Sequence, residues 1–401
     1  GIIELNFFAS DPIVFVLGMM SSLFATGLWL QMASYFGMPV STTHAIIGAL
    51  LGFGGIIGGV QAVYWGEIVK IVLSWITSPL MSGIISYCIF RFIQRRIFYQ
   101  PNPLLATKRI APFLVFFAFT ILSLAIIFDG LKNLHLDIPF PQALLFSSAI
   151  GALFAFGSLL IFRRMELSAP PTTYQNPQDV LSLEKALKHL RRVEGSSQEE
   201  VQKTAAGIRL QVENLAEKVE KSATIQETMS PLRSVEKIFV LLQIVSASLV
   251  AFAHGANDVA NAIGPVAAVV QALQSNSILQ TTEIPTWILL LGGIGIVVGL
   301  ATWGWRVIET IGRKITELTP TRGFSAEFGA ACTILLASKL GIPISTTHSL
   351  VGSVLGVWLA RGLQALNLRT LRDIALSWIV TLPFCACLSI LLFYFLQAIY
   401  V

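Results

Sequence analysis

One short segment occurs twice in this 401-residue chain, each time inside long apolar sequence. Gly37-Met38-Pro39-Val40-Ser41-Thr42-Thr43-His44 returns as Gly341-Ile342-Pro343-Ile344-Ser345-Thr346-Thr347-His348, 304 residues later. The likeness extends outward. Ala33-Ser34 matches Ala337-Ser338, and Gly48 and Gly52 match Gly352 and Gly356. After a one-residue slip, Leu73-Ser74-Trp75-Ile76 matches Leu376-Ser377-Trp378-Ile379. Three successive hydroxyl side chains at membrane depth are costly unless something uses them. Finding the same run twice implies a duplicated unit. Duplicated halves with polar, broken segments at corresponding places point to the binding site of a secondary transporter.

Composition supports a membrane-embedded chain: 54% of residues are hydrophobic and 12% charged, with mean hydropathy +0.73. A soluble protein has roughly 25% charged residues. Runs at 12–36, 62–90, 111–129, 142–162, 237–254, 286–308, 323–340 and 374–400 are long enough to span a bilayer. The segments 39–59, 262–274 and 343–360 are apolar but Gly-rich or Pro-led, which predicts broken or re-entrant helices. Such backbone survives in a membrane only where protein or a water-filled cavity satisfies it. No run alternates as a membrane barrel strand does, so the fold class is all-α integral membrane protein. The similarity of the halves does not say whether they run parallel or inverted.

Three regions follow: 1–163, a first transmembrane repeat with linking spans; 164–236, a charged insert; and 237–401, a second repeat. The insert carries breaks at Pro170-Pro171 and Gly195-Ser196-Ser197. Apolar residues at helical spacing (Val180, Leu183, Leu187, Leu190, Val193, then Val201, Ala205, Ile208, Val212, Leu215, Val219) predict two amphipathic helices outside the membrane. The loop 91–109 has Arg91, Arg95, Arg96, Lys108 and Arg109 and no acid, which places it in the cytoplasm. The insert, two spans later, lies on the same side. The pI near 9.1 therefore reflects orientation; with basic residues at span edges, nucleic acid is not an expected partner. The expected location is a multi-pass position in the plasma (bacterial inner) membrane. Cys88, Cys332, Cys385 and Cys387 lie in apolar segments without metal-site spacing and read as small core residues.

The richest polar segment is His254-Gly255-Ala256-Asn257-Asp258-Val259-Ala260-Asn261-Ala262-Ile263-Gly264-Pro265. On a helix Asn257 and Asn261 share a face, while Asp258 points about 100° away, so the triplet could line two adjoining pockets. Gly255, Gly264 and Pro265 permit an unwound backbone. Carboxylate, carbonyl and hydroxyl oxygens suit a hard cation such as Na⁺. The two Ser-Thr-Thr runs follow a proline and precede apolar helical sequence, a helix N-terminus signature, and helix N-termini suit anions. An acid inside a membrane is functional by default, which singles out Asp258 and, at the start of a span, Glu327. His44 and His348 read as packing or orienting residues, with substrate contact or proton transfer as the alternative. Arg306 and Glu309 read as an interfacial pair. No nucleophile, metal cluster or nucleotide loop is apparent, so an enzyme is not expected, and no cofactor beyond a coupling ion.

The combination GANDVANAIGP with two copies of G-(M/I)-P-(V/I)-STTH resembles the inorganic phosphate transporter (PiT) family over nearly the whole chain apart from the insert. The resemblance implies an inverted-repeat transporter, with broken or re-entrant helices in each half, that moves inorganic phosphate on a cation gradient. Na⁺ is the favoured coupling ion and H⁺ the alternative. It assigns phosphate binding to Ser41, Thr42, Thr43, Asn257, Asp258, Asn261, Ser345, Thr346 and Thr347. It assigns Na⁺ binding to Asp258, Asn257, Asn261 and Glu327, with His44 and His348 as accessory residues. Implied partners are phosphate, Na⁺ and the lipid bilayer, with a homodimer as one assembly open to the chain. Alternatives are a sulfate or other tetrahedral oxyanion permease, an uncoupled anion channel, and a non-transporting scaffold or sensor. One feature departs from the family: only one GANDVANA segment is present. Asn257 precedes Ser345 by 88 residues, and the same interval before Ser41 falls roughly 47 residues upstream of Gly1. The sequence is therefore expected to lack its natural N-terminus.

Overall fold

Helix α1 (Pro12–Tyr35) shows how local sequence sets these elements. Asp11 caps it by accepting the N–H groups of Ile13 and Val14 at 3.1 and 3.3 Å, and Pro12 occupies the first turn. The chain leaves it through Gly37 at φ 67°, a conformation that other residues adopt at a cost. With 24 residues it is ~36 Å long, enough to cross a hydrocarbon layer of about 30 Å. Further helices are α2 (Thr42–Ile57), α3 (Trp65–Ile93), α4 (Pro103–Ala125), α5 (Phe140–Arg164) and α6 (Pro231–Ser275). They continue with α7 (Thr286–Arg313, through π-helical turns), α8 (Pro320–Lys339), α9 (Thr346–Arg361) and α10 (Leu368–Tyr400).

The structure, a computed structural model, describes residues 2–127, 138–164, 186–187, 189–190, 193, 202–215, 231–275, 277–278, 284–315, 318–362 and 368–400. Among these, seven helices are long and apolar enough to cross a membrane: α1, α3, α4, α5, α6, α7 and α10. The chain is an all-helical, multi-pass integral membrane protein. Extended pairing among the described residues amounts to one bridge, Ile3 with Val63. Of the two helices expected over 164–236, the described residues are helical at 186–187, 189–190, 193 and 202–215; the rest of that expectation, apart from the ends of α5 and α6, lies outside the described residues.

Two expectations are corrected. First, the predicted break at 262–274 is absent: α6 runs unbroken for 45 residues through Gly255, Gly264 and Pro265. Glycine remains compatible with helical dihedrals, and Pro265 removes only one N–H, the one that would bond the Asn261 carbonyl. The two ends of α6 enter different cores. Val235, Ile238, Phe239 and Leu242 pack with Ile93, Leu114 and Phe324, whereas Ala272 packs with Phe15, Phe53 and Phe393. Asp258 lies between those ends. Second, Arg306 does not pair with Glu309. Its guanidinium donates to the Tyr35 carbonyl at 2.7 Å, at the end of α1 where helical carbonyls lack partners, and lies over the Tyr35 and Trp303 rings. Glu309 instead sits 3.8 Å from Arg313.

The run at 323–340 forms α8, which falls outside the seven apolar spans because it carries Arg322, Glu327 and several hydroxyl residues. It is packed inside the protein, with Thr321, Ser325 and Thr333 buried and hydrogen-bonded.

At 16 residues each, α2 and α9 are only ~24 Å long. Each lies against the long helix of the other repeat. A Cβ at Gly48 or Gly52 would press on the Leu382 or Ala386 carbonyl of α10; one at Gly352 or Gly356 would press on the Pro79 or Gly83 carbonyl of α3. Glycine is required here for close approach. The matched glycines thus cross-link the two halves and bring the starts of α2 and α9 together.

Candidate functional site

Both hydroxyl runs begin helices. Ser41 and Ser345 are the N-caps, in extended conformation, and each side chain accepts the N–H three residues on (His44 and His348) at 3.2 Å. The next two residues of each run therefore occupy the first helical turn, where the helix supplies no acceptor for their N–H groups. Thr42 and Thr346 reach the same acid on α6. The Thr42 hydroxyl donates to Oδ2 of Asp258 at 2.8 Å, and that of Thr346 lies 3.2 Å from the same oxygen and 3.4 Å from Oδ1. The Asn257 amide donates to Oδ1 at 2.9 Å, and Nε2 of His254, one turn back, lies 2.7 Å from Oδ2. Four groups thus surround a carboxylate whose side chain is 9% exposed. It sits at the positive ends of two helices, a favourable place for an anion.

The third hydroxyls serve a different contact. Thr43 donates to the Ile344 carbonyl and Thr347 to the Val40 carbonyl, both at 3.1 Å, so each repeat holds the segment that leads into the other's short helix. Asn261 donates to Thr43 at 3.3 Å. Asp258 thus turns toward both threonines with Asn257 beside it, while Asn261 reaches the start of α2 through Thr43. Behind this layer, Nδ1 of His44 lies 3.4 Å from the Trp378 carbonyl and Nδ1 of His348 lies 3.3 Å from the Trp75 carbonyl. The His44 ring packs on Trp75 and the His348 ring on Trp378, with centroids 3.7 Å apart in each case, and the two imidazoles meet edge to face at 4.6 Å.

The model of the phosphate transporter family matches residues 1–389. The chain belongs to the phosphate transporter family. It is 43% identical over 386 residues to a protein of Chlamydia pneumoniae named as a candidate phosphate permease, covering 96% of this chain and 81% of that one. It is 40% identical to the chloroplastic inorganic phosphate transporter 2-1 of Arabidopsis thaliana, covering 98% of this chain and 60% of the relative. A solved structure described as the sodium-dependent phosphate transporter is similar with TM-score 0.76 and 33% identity, over 100% of this chain and 83% of that one. These family members are permeases and transporters, not enzymes.

In this family member Glu327 stands apart from Asp258. It accepts the Ser246 hydroxyl at 2.5 Å and the Gln243 amide at 3.4 Å, both more than three turns before Asp258 on α6. Sequence reasoning grouped the two acids; the structure does not bring them together. It also passed over His254, although the His254–Asp258 spacing of four is a one-turn contact. Trp75 and Trp378 marked the repeat in sequence; their role against the histidines appears only once the halves are packed.

Proposed function

We propose that the chain is a secondary transporter that moves inorganic phosphate across the membrane by alternating access, coupled to a cation gradient, with Na⁺ favoured over H⁺. The observation that carries this reading is the shared grip of Thr42 and Thr346 on Asp258. Donors from both repeats meet at one point between them, where a tetrahedral oxyanion can be held from two sides and a cation can meet the carboxylate. Ser41, Ser345, Asn257 and Asn261 complete the polar surroundings. Hydroxyls and first-turn N–H groups serve the oxyanion; the oxygens of Asp258, Asn257 and Asn261 serve the cation. Glu327, with Ser246 and Gln243, offers a second acid for a cation or proton. The reciprocal Thr43–Ile344 and Thr347–Val40 bonds support an inverted pairing, since two short helices meeting start to start run in opposite directions. The basic residues at the α3–α4 junction (Arg91, Arg95, Arg96, Lys108 and Arg109) support a cytoplasmic position for that junction and for the insert, and a bacterial relative supports the plasma membrane.

The test is radiolabelled phosphate uptake into proteoliposomes under an inward Na⁺ gradient and, separately, under a pH gradient alone. Uptake on the Na⁺ gradient is expected. Uptake on the pH gradient alone would replace the coupling ion. Uptake needing neither gradient would make the protein a channel, and sulfate uptake without phosphate uptake would change the substrate.

A further inference from the structure

A hydroxyl has one proton to donate. The protons of Thr42 and Thr346, the first residues of α2 and α9, are both directed at the carboxylate of Asp258. The Asn257 amide adds a third donor to the same group. Hydroxyl protons, an amide and two positive helix ends are the set that a phosphate oxygen would use at this place. Asp258 is therefore placed where it competes with the substrate for the same donors. Two anions sharing one donor set also repel each other, and a largely buried site screens that repulsion poorly.

We propose that Asp258 is an internal stand-in for the substrate oxyanion rather than one of its ligands. Its carboxylate holds the two threonine hydroxyls, and a cation that draws the carboxylate away releases them to a phosphate oxygen. This rests on the phosphate-carrier reading and supplies its coupling step. Cation and phosphate need not touch: the cation raises phosphate affinity by removing a competitor, and by linkage phosphate raises cation affinity by the same factor. His254 sits on the same oxygen as Thr42 and shares in holding the carboxylate.

The experiment is calorimetric titration of inorganic phosphate into the purified full chain in nanodiscs, in sodium and in choline salts. For the unaltered protein, Na⁺ should tighten phosphate binding by about 10-fold or more, within the usual range of coupling between sites. Asp258→Asn should bind phosphate equally in both salts, with an affinity close to that of the unaltered protein in sodium, while losing Na⁺-driven uptake. Asp258→Ala, which removes the neutral acceptor as well, should behave the same way. Thr42→Val with Thr346→Val should weaken phosphate binding with or without the Asp258 substitution, because the hydroxyls are the shared donors. Folding of each variant is checked by its thermal unfolding transition. Two results would overturn the proposal: folded Asp258 variants that bind no phosphate in either salt, or variants whose phosphate affinity still depends on Na⁺. If the unaltered protein binds no phosphate in either salt, the carrier reading itself fails.

Discussion

The two copies of the repeated segment are alike where they hold each other and unlike where they meet α6. Ser41 and Ser345 cap at the same 3.2 Å, and Thr43 and Thr347 reach across at the same 3.1 Å. Around the acid the match fails. Thr42 approaches one oxygen of Asp258 at 2.8 Å, Thr346 lies 3.2 and 3.4 Å from its two oxygens, and Asn261 touches only the first copy, through Thr43. The acid thus leans toward the copy that is distant in sequence. Duplication supplies a matched pair of helix starts; α6, whose Asp258 meets both starts at different distances, makes the pair unequal. A site that must release its contents needs one side to let go before the other, and this inequality indicates which contact is the looser.

The largest effect should come from removing both hydroxyls. Thr42→Val with Thr346→Val should lower phosphate uptake efficiency by about 100-fold or more, since each hydrogen bond to a charged group contributes about 1.5–3 kcal/mol. The single substitutions sharpen the comparison: Thr42→Val should raise the phosphate KM by about tenfold and Thr346→Val by less. Equal effects, or the reverse order, would show that the leaning of Asp258 has no bearing on substrate. Next in size is the glycine packing. Gly52→Ala and Gly356→Ala each put a methyl against the opposite repeat's backbone and should each cost about 1–3 kcal/mol, as overpacking does. Thermal unfolding in detergent checks this, and a neutral result at either position would mean that the crossed packing is not what joins the halves.

Much of this was legible in sequence because it is written in short, local signals. Asp11 followed by Pro12, and Gly37 after Tyr35, bound α1 within a residue or two of its apolar run. The Pro-then-Ser-Thr-Thr order places both short helices where they form. Their grouping with Asn257, Asp258 and Asn261 comes from the family resemblance, and the hydrogen bonds of Thr42, Thr43 and Thr346 to α6 are what only the packed structure displays. What the sequence hid depends on neighbours. Gly255, Gly264 and Pro265 are breakers in isolation, yet α6 continues through them because only one N–H is missing. The swap of short helices onto the opposite repeat's long helices is invisible in a period, because the same glycines could serve either partner. Glu327 resembled Asp258 as an acid in apolar sequence, and only packing shows that its partners are Ser246 and Gln243.

His254 tests the unequal side of the site at smaller scale. His254→Gln keeps a polar donor near Asp258 but removes the imidazole and any charge it carries. On the stand-in reading it should change the Na⁺ concentration needed for half-maximal uptake by severalfold and alter phosphate KM at saturating Na⁺ less. A change confined to phosphate KM would place His254 at the substrate instead.

The smallest effect comes from the tryptophans, where the repeats differ by one hydrogen bond. The indole N–H of Trp378 donates to the Pro39 carbonyl at 2.9 Å. Its counterpart in Trp75 is buried without a partner, and the Pro343 carbonyl takes the Ser74 hydroxyl at 2.6 Å instead. Trp→Phe removes similar ring area at both positions, so the difference between the variants isolates the hydrogen bond. Trp378→Phe should be the less stable by about 1 kcal/mol. Removing the unsatisfied donor of Trp75 offsets part of the lost packing, which widens the gap in the same direction. Unfolding midpoints measured side by side in one detergent decide it. If the two variants unfold together, the first repeat's Pro39 segment is held by the Thr347–Val40 bond and needs no help from Trp378.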